Sequence, residues 1–544
     1  MNSLKARKAS RGFVALLIAG GLLAAPPANA QQVPHLTTTH PGGFPGTPVM
    51  SGIEGTTNGV RLSWDGPAGY YQLYQKLGLG SETWQKFGSP NLSRFTNITA
   101  LQSNAFFKVA GPHARYAGSE VCLECHESIH QTETATRHAG AFMNPRFVAK
   151  GGQTNSSCLP CHTVGYGLPT GFINAAATPH LTGVQCENCH GPAASHAANE
   201  LDFTARPRAE LAGQVCGGCH NEGSHRPMYE QWSSSGHFAV TEDMNPTSRI
   251  SSCGRCHSGS ARLALMKGEN PSISVTNDAN VGITCVVCHD PHANQIWTNV
   301  VSGAVTTNQL RYPIASTNDF FLSTSATFTN RYDINVCAQC HNHRGANWND
   351  PNSTSDTSRP PHHSPQYNML LGTVGELAPG LPPWRASHGT LIEKQCVGCH
   401  MAKEGDGSDA HPEFAGHTFR VESLNVCTEC HGNPELLVTF ATMAISSQMQ
   451  TLKGSLDLWA TTKAPESLRK YGVRAWEYTN PGEFSSGGSG PNNSEQEQIP
   501  DNIKKARFNL YLVKYDGSFG VHNGPHTVSL LESARNWVQL ELLK

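Results

Sequence analysis

A single pattern uses every cysteine of this 544-residue chain. All 18 cysteines lie in pairs separated by two residues, and a histidine directly follows each pair. Disulfides give no reason for that histidine, and zinc ribbons pair cysteines without requiring it. The nine CxxCH motifs begin at Cys122, Cys158, Cys186, Cys216, Cys253, Cys285, Cys337, Cys396 and Cys427, and their second cysteines are Cys125, Cys161, Cys189, Cys219, Cys256, Cys288, Cys340, Cys399 and Cys430.

The CxxCH motif is typical of covalent attachment of c-type haem. The two thiols bond to the two vinyl groups of one porphyrin, and the following imidazole binds the iron as its proximal ligand. This interpretation explains all five positions of the motif, so the sequence predicts nine covalently attached haem c groups. The predicted proximal iron ligands are His126, His162, His190, His220, His257, His289, His341, His400 and His431.

The composition agrees with a core that a cofactor fills. Only 38% of the residues are hydrophobic, whereas the chain contains 53 Gly and 34 Pro. Such a chain should hold little regular structure. The porphyrins can supply the apolar surface that the side chains lack. We therefore expect a mainly α-helical, haem-packed core whose folding requires haem.

The first 30 residues have the pattern of a secretory signal peptide. Four basic residues precede an apolar run, and a small-x-small cleavage site ends at Ala30. Removing them takes away four positive and no negative charges, which changes the net charge from −2 to −6 and argues against a nucleic-acid partner. No later segment is apolar for long enough to predict an integral membrane span. The sequence thus predicts export to the periplasm, the cell surface or the extracellular space.

Eighteen of the 27 histidines lie outside the motifs, and 15 remain as candidate sixth ligands once His35, His40 and His113 are set aside. Three residues of extended chain reach about 11 Å at most, too short to bring two imidazoles to opposite faces of one porphyrin. His292 should therefore bind a different iron from His289. The predicted distal ligands are His138, His196, His225, His237, His292, His363, His388, His417 and His522, with His180, His130, His362 and His411 in reserve.

A histidine that follows the third motif extends this argument. His196 follows His190 by six residues, which could reach round one porphyrin only in a strained loop. We therefore expect His196 to bind a neighbouring iron, so that shared ligands hold haem pairs together.

Several stretches resemble the cytochrome c554-like multihaem cytochromes. They include YAGSEVCLECH from Tyr116, VQCENCHGP from Val184, CHDPH from Cys288 and DGSFGVHN from Asp516. The resemblance covers about residues 116–544 and implies bis-histidine haems in parallel and perpendicular pairs, short helices and electron transfer. It also implies that the histidine before asparagine, His522, fills a sixth position.

Related pentahaem nitrite reductases and octahaem hydroxylamine or tetrathionate enzymes use one haem with an open distal position. In many pentahaem nitrite reductases that haem has a CxxCK motif. All nine motifs of this chain end in histidine, which counts against that identity.

Composition divides the chain into five predicted segments. We expect five short strands, at 60–64, 70–76, 84–88, 94–99 and 105–111, to form a small β-sandwich that resembles a fibronectin type III module and serves as a docking module or a spacer. The segments are a signal peptide at 1–30, an extended leader at 31–50, the small β-sandwich at 51–111, a nonahaem cytochrome c domain at 112–432 and a C-terminal helical segment at 433–544.

The C-terminal segment has a helical hydrophobic pattern. Apolar residues at a 4-3-4-3 spacing predict a long amphipathic helix from about Glu435, and two further helices are predicted to follow it. These helices either clasp the haem domain or form a homo-oligomer interface. The residues of the stripe are Ile445, Met449, Leu452, Leu456 and Trp459.

Two functions remain open from the sequence. The first is electron transfer along closely packed bis-histidine haems in anaerobic or extracellular respiration, to redox protein partners or an extracellular acceptor. The alternative is a multihaem oxidoreductase that reduces a small nitrogen or sulfur compound at one five-coordinate haem, where nearby donors would stabilise a developing anion. The 15 candidate histidines for nine sixth positions favour an electron carrier over an enzyme.

Overall fold

The computed structural model divides into two compact units. The first comprises the residues up to Glu230 together with Pro291–Asn294, and the second comprises Gln231–Asp290 and Gln295–Lys544. The predicted domain at 112–432 is thus divided, with four motifs in the first unit and five in the second. The structure describes residues 49–544 except 57–58, 66–70, 78–84, 92, 94, 100–104, 111–114, 169, 202–205, 208–210, 240–248, 275–280, 299–304, 312–334, 350–358, 382–386, 393–394, 409–410 and 486.

Some predictions lie outside the described residues. They are the signal peptide at 1–30, most of the leader at 31–50, and the three histidines His35, His40 and His113.

Two small antiparallel sheets precede the first motif. Their strands are β1 (Val49–Thr56), β2 (Gly59–Asp65), β3 (Tyr71–Lys76), β4 (Gln85–Asn91), β5 (Phe95–Ile98) and β6 (Phe106–Ala110). One sheet has the order β1-β2-β5 and the other β4-β3-β6. Alternate side chains of a strand point to one face, and Leu62, Trp64, Tyr71 and Leu73 are at most 3% exposed in one apolar cluster. Strand β1 was not predicted, because its glycine-rich sequence begins inside the expected leader.

The helices between the motifs are short. Helices of one or two turns are not stable alone in water, so their surroundings must hold them. They are α1 (Leu123–Thr134), α2 (Pro145–Ala149), α3 (Leu159–His162), α4 (Cys186–His190), α5 (Ala194–Ala198), α6 (Gln214–Gly217), α7 (Met228–Ser233), α8 (Ile250–His257), α9 (Gly259–Met266), α10 (Pro271–Ser274), α11 (Cys285–Cys288), α12 (Asn335–Ala338), α13 (Gln366–Leu371), α14 (Ser387–Leu391) and α15 (Gln395–His400), with two hairpins formed by β7 (Gln295–Thr298) and β8 (Val305–Asn308) and by β9 (Lys403–Glu404) and β10 (Phe414–Ala415).

Three long helices close the second unit: α16 (Pro434–Thr462), α17 (Asp501–Asp516) and α18 (Gly524–Leu543). They confirm the predicted long C-terminal helices. The Asn433 side chain accepts a hydrogen bond from the Leu436 N–H and so caps α16. Within the described part of the chain, we find no helix whose length and apolar character would let it cross a membrane. The predicted stripe of α16 is buried, with exposed fractions of 3% for Ile445, 4% for Met449, 1% for Leu452, 0% for Leu456 and 1% for Trp459.

A buried carboxylate lies among the C-terminal segments. Glu477 is fully buried and accepts hydrogen bonds from the hydroxyls of Ser485 and Tyr511, at 2.7 and 2.9 Å. The guanidinium of Arg507 donates to the carbonyls of Trp476 and Glu477 at 2.9 and 2.8 Å. Burial raises the pKa of Glu477 overall, although the two hydroxyl donors lower it.

Candidate functional site

The backbone of several motifs forms a single helical turn. Residues three and four apart lie on the same side of such a turn, so the two thiols and the imidazole can reach one porphyrin. In the fourth, sixth, seventh and ninth motifs the histidine N–H donates to the carbonyl of the first cysteine: His220 to Cys216 at 2.9 Å, His289 to Cys285 at 2.8 Å, His341 to Cys337 at 2.9 Å and His431 to Cys427 at 2.9 Å.

In the second unit, each of the five motif imidazoles pairs with a second imidazole across a gap. Two metal–nitrogen bonds of about 2 Å, with roughly 1 Å from each nitrogen to its ring centroid, place two axial imidazole centroids about 6 Å apart. The observed gaps therefore fit one iron each. The centroid distances are 5.9 Å for His257 and His362, 6.2 Å for His289 and His417, 6.0 Å for His341 and His237, 6.2 Å for His400 and His522, and 6.0 Å for His431 and His388.

The first unit has two such pairs for its four motifs. The centroids of His190 and His292 are 5.9 Å apart, and those of His220 and His138 are 6.1 Å apart. Among the described residues, no ring pair of this kind includes His126 or His162. The ring of His162 instead stacks on Phe147, with centroids 3.9 Å apart.

The structure places His362, not the predicted His363, beside His257. The His363 ring stacks on Tyr515 with centroids 3.6 Å apart. Neighbouring side chains of an extended segment point in opposite directions, so only one of the two histidines can face a given iron. The sequence contains both candidates but does not show which one faces inward.

Two further predicted distal ligands, both in the first unit, are not brought beside a motif imidazole. Within the described residues, the half-buried His196 has a buried Nδ1 with no hydrogen-bond partner. His225 is exposed and has a left-handed backbone with φ 57°. Of the reserves, His130 is buried, whereas His180 and His411 are exposed. The ligation of these histidines stays a prediction.

Hydrogen bonds orient several of these imidazoles. When Nδ1–H donates to a protein oxygen, Nε2 keeps the lone pair that a metal needs. The Nδ1 partners are the carbonyls of Ala141 for His162 at 3.0 Å, Val521 for His388 at 2.7 Å, Phe419 for His400 at 3.1 Å and Ala415 for His417 at 2.7 Å, the hydroxyl of Ser364 for His362 at 2.9 Å, and the carboxylate of Asp516 for His522 at 2.6 Å.

The chain is similar to known cytochromes. The family model "Cytochrome c554 and c-prime" matches residues 121–191. Cytochrome c-554 of Nitrosomonas europaea is 31% identical over 136 residues, which cover 20% of this chain and 58% of that protein. The chain is a multihaem c-type cytochrome that resembles cytochrome c554.

Other relatives match the cytochrome over part of their length. The C-type polyheme cytochrome OmcB of Geobacter sulfurreducens is 25% identical over 299 residues, covering 51% of this chain and 36% of OmcB. The multiheme cytochrome MtrA of Shewanella baltica is 26% identical over 160 residues, covering 25% of this chain and 46% of MtrA. The cytochrome thus spans about half or less of these two relatives. The solved outer cell wall cytochrome OcwA has 19% identity and a TM-score of 0.49, covering 78% of this chain and 100% of its own.

Burial lowers the pKa of five imidazoles of these pairs, those of His138, His237, His341, His400 and His417. It lowers the pKa of His237 to about 4, helped by the nearby His341. The neutral imidazole is the form that binds a metal. His522 differs, because Asp516 raises its pKa although burial acts in the opposite direction.

In the cytochrome, cysteine side chains of different motifs lie next to one another. The sulfur atoms of Cys122 and Cys186, of Cys161 and Cys219, and of Cys256 and Cys340 lie close together. Cys189 likewise lies close to Cys216. In the first unit, motif 1 therefore lies next to motif 3, motif 3 next to motif 4, and motif 4 next to motif 2.

The second unit shows a similar succession. The thiol contact between Cys256 and Cys340 joins motifs 5 and 7, and burial with Cys427 nearby raises the pKa of Cys399 in motif 8. The imidazole of His341 in motif 7 lies near that of His400, which acts with burial to lower its pKa. Motifs 5, 7, 8 and 9 are therefore neighbours in that order, and Cys288 of motif 6 also lies near Cys340 of motif 7.

Sequence reasoning did not find the groups that orient the imidazoles. Most of them are backbone carbonyls, which leave no residue-type signal. Asp516 is the exception, because it lies in DGSFGVHN six residues before His522. An acidic residue so close to a candidate ligand could have indicated its role.

Proposed function

We propose that the chain is a nonahaem electron carrier whose haems are held mainly by two histidines each. One observation carries this proposal: seven pairs of imidazoles, each with one motif histidine, lie with centroids 5.9 to 6.2 Å apart. Two axial imidazoles fill both open positions of a haem iron, so no substrate can bind there. Bound haem supplies one-electron reduction and oxidation.

We propose the following axial pairs for seven irons, with His362 in place of His363. They are His220 with His138, His190 with His292, His257 with His362, His289 with His417, His341 with His237, His400 with His522 and His431 with His388. For His126 and His162, the predicted distal ligands His196 and His225 remain our candidates.

The neighbouring motifs support a route for electrons within each unit, with motif 6 as a branch at motif 7 of the second unit. The chain holds motifs 1, 3, 4 and 2 together in the first unit and motifs 5, 7, 8 and 9 together in the second. Cys125 in the first motif and Cys430 in the ninth are the exposed cysteines of the described motifs. We therefore propose that electrons enter and leave the cytochrome at these two motifs.

The partners we propose are redox proteins or an extracellular electron acceptor. The signal-peptide pattern supports export to the periplasm or the cell surface, in anaerobic or extracellular respiration. The two small sheets before the motifs suit the predicted fibronectin-like module, which we propose as a docking module or spacer. A homo-oligomer through the C-terminal helices stays a prediction.

Two measurements test this function. The intact mass of the mature protein should exceed the polypeptide mass by nine haems, with no titratable thiol left among the 18 cysteines. Low-temperature EPR of the oxidised protein should then show low-spin iron for the seven paired centres. A smaller haem mass, or a predominantly high-spin spectrum, would contradict the proposal.

The unpaired motif histidines of the first unit favour one second candidate. Among the described residues, neither His126 nor His162 belongs to an imidazole pair, and the His162 Nδ1 already donates to the Ala141 carbonyl. An open position at one of these irons would permit reduction of a small nitrogen or sulfur compound there. A high-spin EPR signal that nitrite or hydroxylamine perturbs would support this enzyme, and a fully low-spin spectrum would exclude it.

A further inference from the structure

The side chain of Asp516 lies against an axial imidazole of the second unit. Its Oδ1 is 2.6 Å from Nδ1 of His522, and the Asp516 side chain is only 2% exposed. The hydroxyl of Ser518 donates to the other carboxylate oxygen, and the backbone N–H of His522 donates to that hydroxyl at 3.1 Å. The carboxylate is therefore fixed in place and directed at one ring nitrogen.

Other imidazoles of the second unit donate to neutral oxygens. His362 donates to a hydroxyl, and His388, His400 and His417 donate to backbone carbonyls. A hydrogen bond to an ionised acceptor is roughly twice as strong as one to a neutral acceptor. His522 thus has an electrostatic environment that differs from theirs.

The segment between α17 and α18 builds this arrangement. Asp516 is the last residue of α17, and Gly517 follows in the left-handed conformation with φ 73°, which ends the helix. Gly520 has φ 93°, and a Cβ there would lie 3.2 Å from Ile445 of α16. The backbone is thereby turned so that His522 lies beside His400, with ring centroids 6.2 Å apart.

We propose that Asp516 is a positioning residue that sets the haem between His400 and His522 at a more negative reduction potential than its neighbours. This inference rests on the proposed ligation of that iron by His522. A carboxylate that accepts the Nδ1 proton makes the imidazole a stronger electron donor through Nε2. Its negative charge in a poorly solvated site also favours the more positive, ferric iron.

The test is the Asp516→Asn variant of the full, haem-loaded protein, followed by EPR-monitored redox titration. Asparagine keeps the size and one acceptor oxygen but removes the charge. We expect one low-spin signal to remain low-spin while its one-electron reduction becomes about tenfold easier, a shift of about 59 mV to more positive potential. Asp516→Glu restores the charge and should recover part of the original potential.

Asp501→Asn is the matched control. Asp501 is the first residue of the same helix and its side chain is 68% exposed, about 22 Å along the axis from Asp516. It should leave every signal in place. If the same signal moves equally in Asp501→Asn, or does not move in Asp516→Asn, the role of Asp516 is overturned.

Two further variants keep the proposal open to disproof. Ser518→Ala removes a donor that shares the charge of the carboxylate, so the same potential should move in the negative direction; a positive shift or none counts against the proposal. His522→Ala should open one iron to high spin. If it does not, the proposed ligation fails together with the role of Asp516, whereas an opened iron with an unmoved Asp516→Asn potential refutes Asp516 alone.

Discussion

The two units differ in how completely their motif imidazoles are paired. All five motif histidines of the second unit lie beside a second imidazole, whereas two of four do so among the described residues of the first. In the second unit, the segment between α17 and α18 supplies His522 and also the Val521 carbonyl that orients His388. The comparison teaches that a segment between two long helices can place one second imidazole far from any motif, whereas the other four partner imidazoles of the second unit precede α16.

The largest expected effect concerns folding without haem. Expression without covalent haem attachment should unfold the part of the first unit that follows β6 and carries the motifs, because its described helices reach at most the 12 residues of α1. The helices of the second unit bury a large apolar cluster of their own. Limited proteolysis with mass spectrometry should then recover a fragment that covers about Pro434–Lys544.

Circular dichroism of that apo protein provides the control, because helical signal should survive in proportion to the protected fragment. If the first unit stays resistant to protease without haem, its fold does not depend on the cofactor. The comparison between the two units would then lose its physical basis.

A smaller effect should follow the loss of one distal ligand in the second unit. We expect His522→Ala to turn one low-spin haem into a high-spin haem that binds carbon monoxide when reduced. His526→Ala is the control, because His526 is only 1% exposed and its Nε2 donates to the Val374 carbonyl at 2.8 Å. That variant should cost about 1–3 kcal/mol of stability without changing any spin state.

Deletion of residues 516–544 should also open this iron, with a larger loss of stability because α18 is removed. Unchanged spin state and unchanged carbon monoxide binding in both the deletion and His522→Ala would show that the segment only packs. The second unit would then resemble the first in having an unpaired motif histidine.

The first unit offers the converse test. If His196 and His225 complete the remaining irons, His196→Ala and His225→Ala should each convert one haem to high spin, with all haems still attached. His526→Ala serves again as the control, because its Nε2 already donates to the Val374 carbonyl, and it should leave the EPR spectrum unchanged. Unchanged spectra for both predicted ligands, together with a high-spin signal in the parent protein, would support the enzyme and sharpen the contrast between the units.

Local patterns were predictable from the sequence, and pairings across the fold were not. The stripe of α16 was visible in its spacing, because Leu452 and Leu456 lie on one helical face whatever else the chain does. By contrast, His289 lies beside His417 and His400 beside His522, more than 100 residues apart in each case. No local rule relates such positions, so the sequence could supply candidate ligands without assigning them to irons.

The choice between His362 and His363 shows the same limit at a finer scale. Both imidazoles are chemically suitable, and the direction of one backbone segment decides which faces His257. Resemblance to a family favoured His522, whose ring lies 6.2 Å from that of His400, and its ligation stays a prediction. The hydrogen-bond partners of the ring nitrogens were beyond reach, because backbone carbonyls are present at every residue.

The smallest expected effect concerns two buried carboxylates, one in each unit. Glu187 in the first unit accepts hydrogen bonds from backbone N–H groups, including that of Ala193 at 2.7 Å, whereas Glu477 in the second accepts them from Ser485 and Tyr511. Burial raises the pKa of both carboxyls above 4.5. A raised folded-state pKa means that the folded state binds the proton more tightly than the unfolded state does.

The contribution of Glu477 to the free energy of unfolding should therefore be complete below pH 4.5 and be lost as the pH rises through its folded-state pKa. A tenfold difference in proton affinity between the folded and unfolded states is worth about 1.4 kcal/mol. Glu477→Gln keeps a hydrogen-bonding amide but cannot ionise, so its denaturant-unfolding stability should fall less over this range than that of the parent. Glu483→Gln is a control for which the pH dependence should be reversed. The hydrogen bond from Lys514 lowers the pKa of Glu483, so the contribution of this carboxylate to stability is lost as the pH falls. If the unfolding stabilities of Glu477→Gln and of the parent protein depend on pH in the same way, this carboxyl has the same pKa in the folded and unfolded states. Its burial would then not make the stability of the second unit depend on pH.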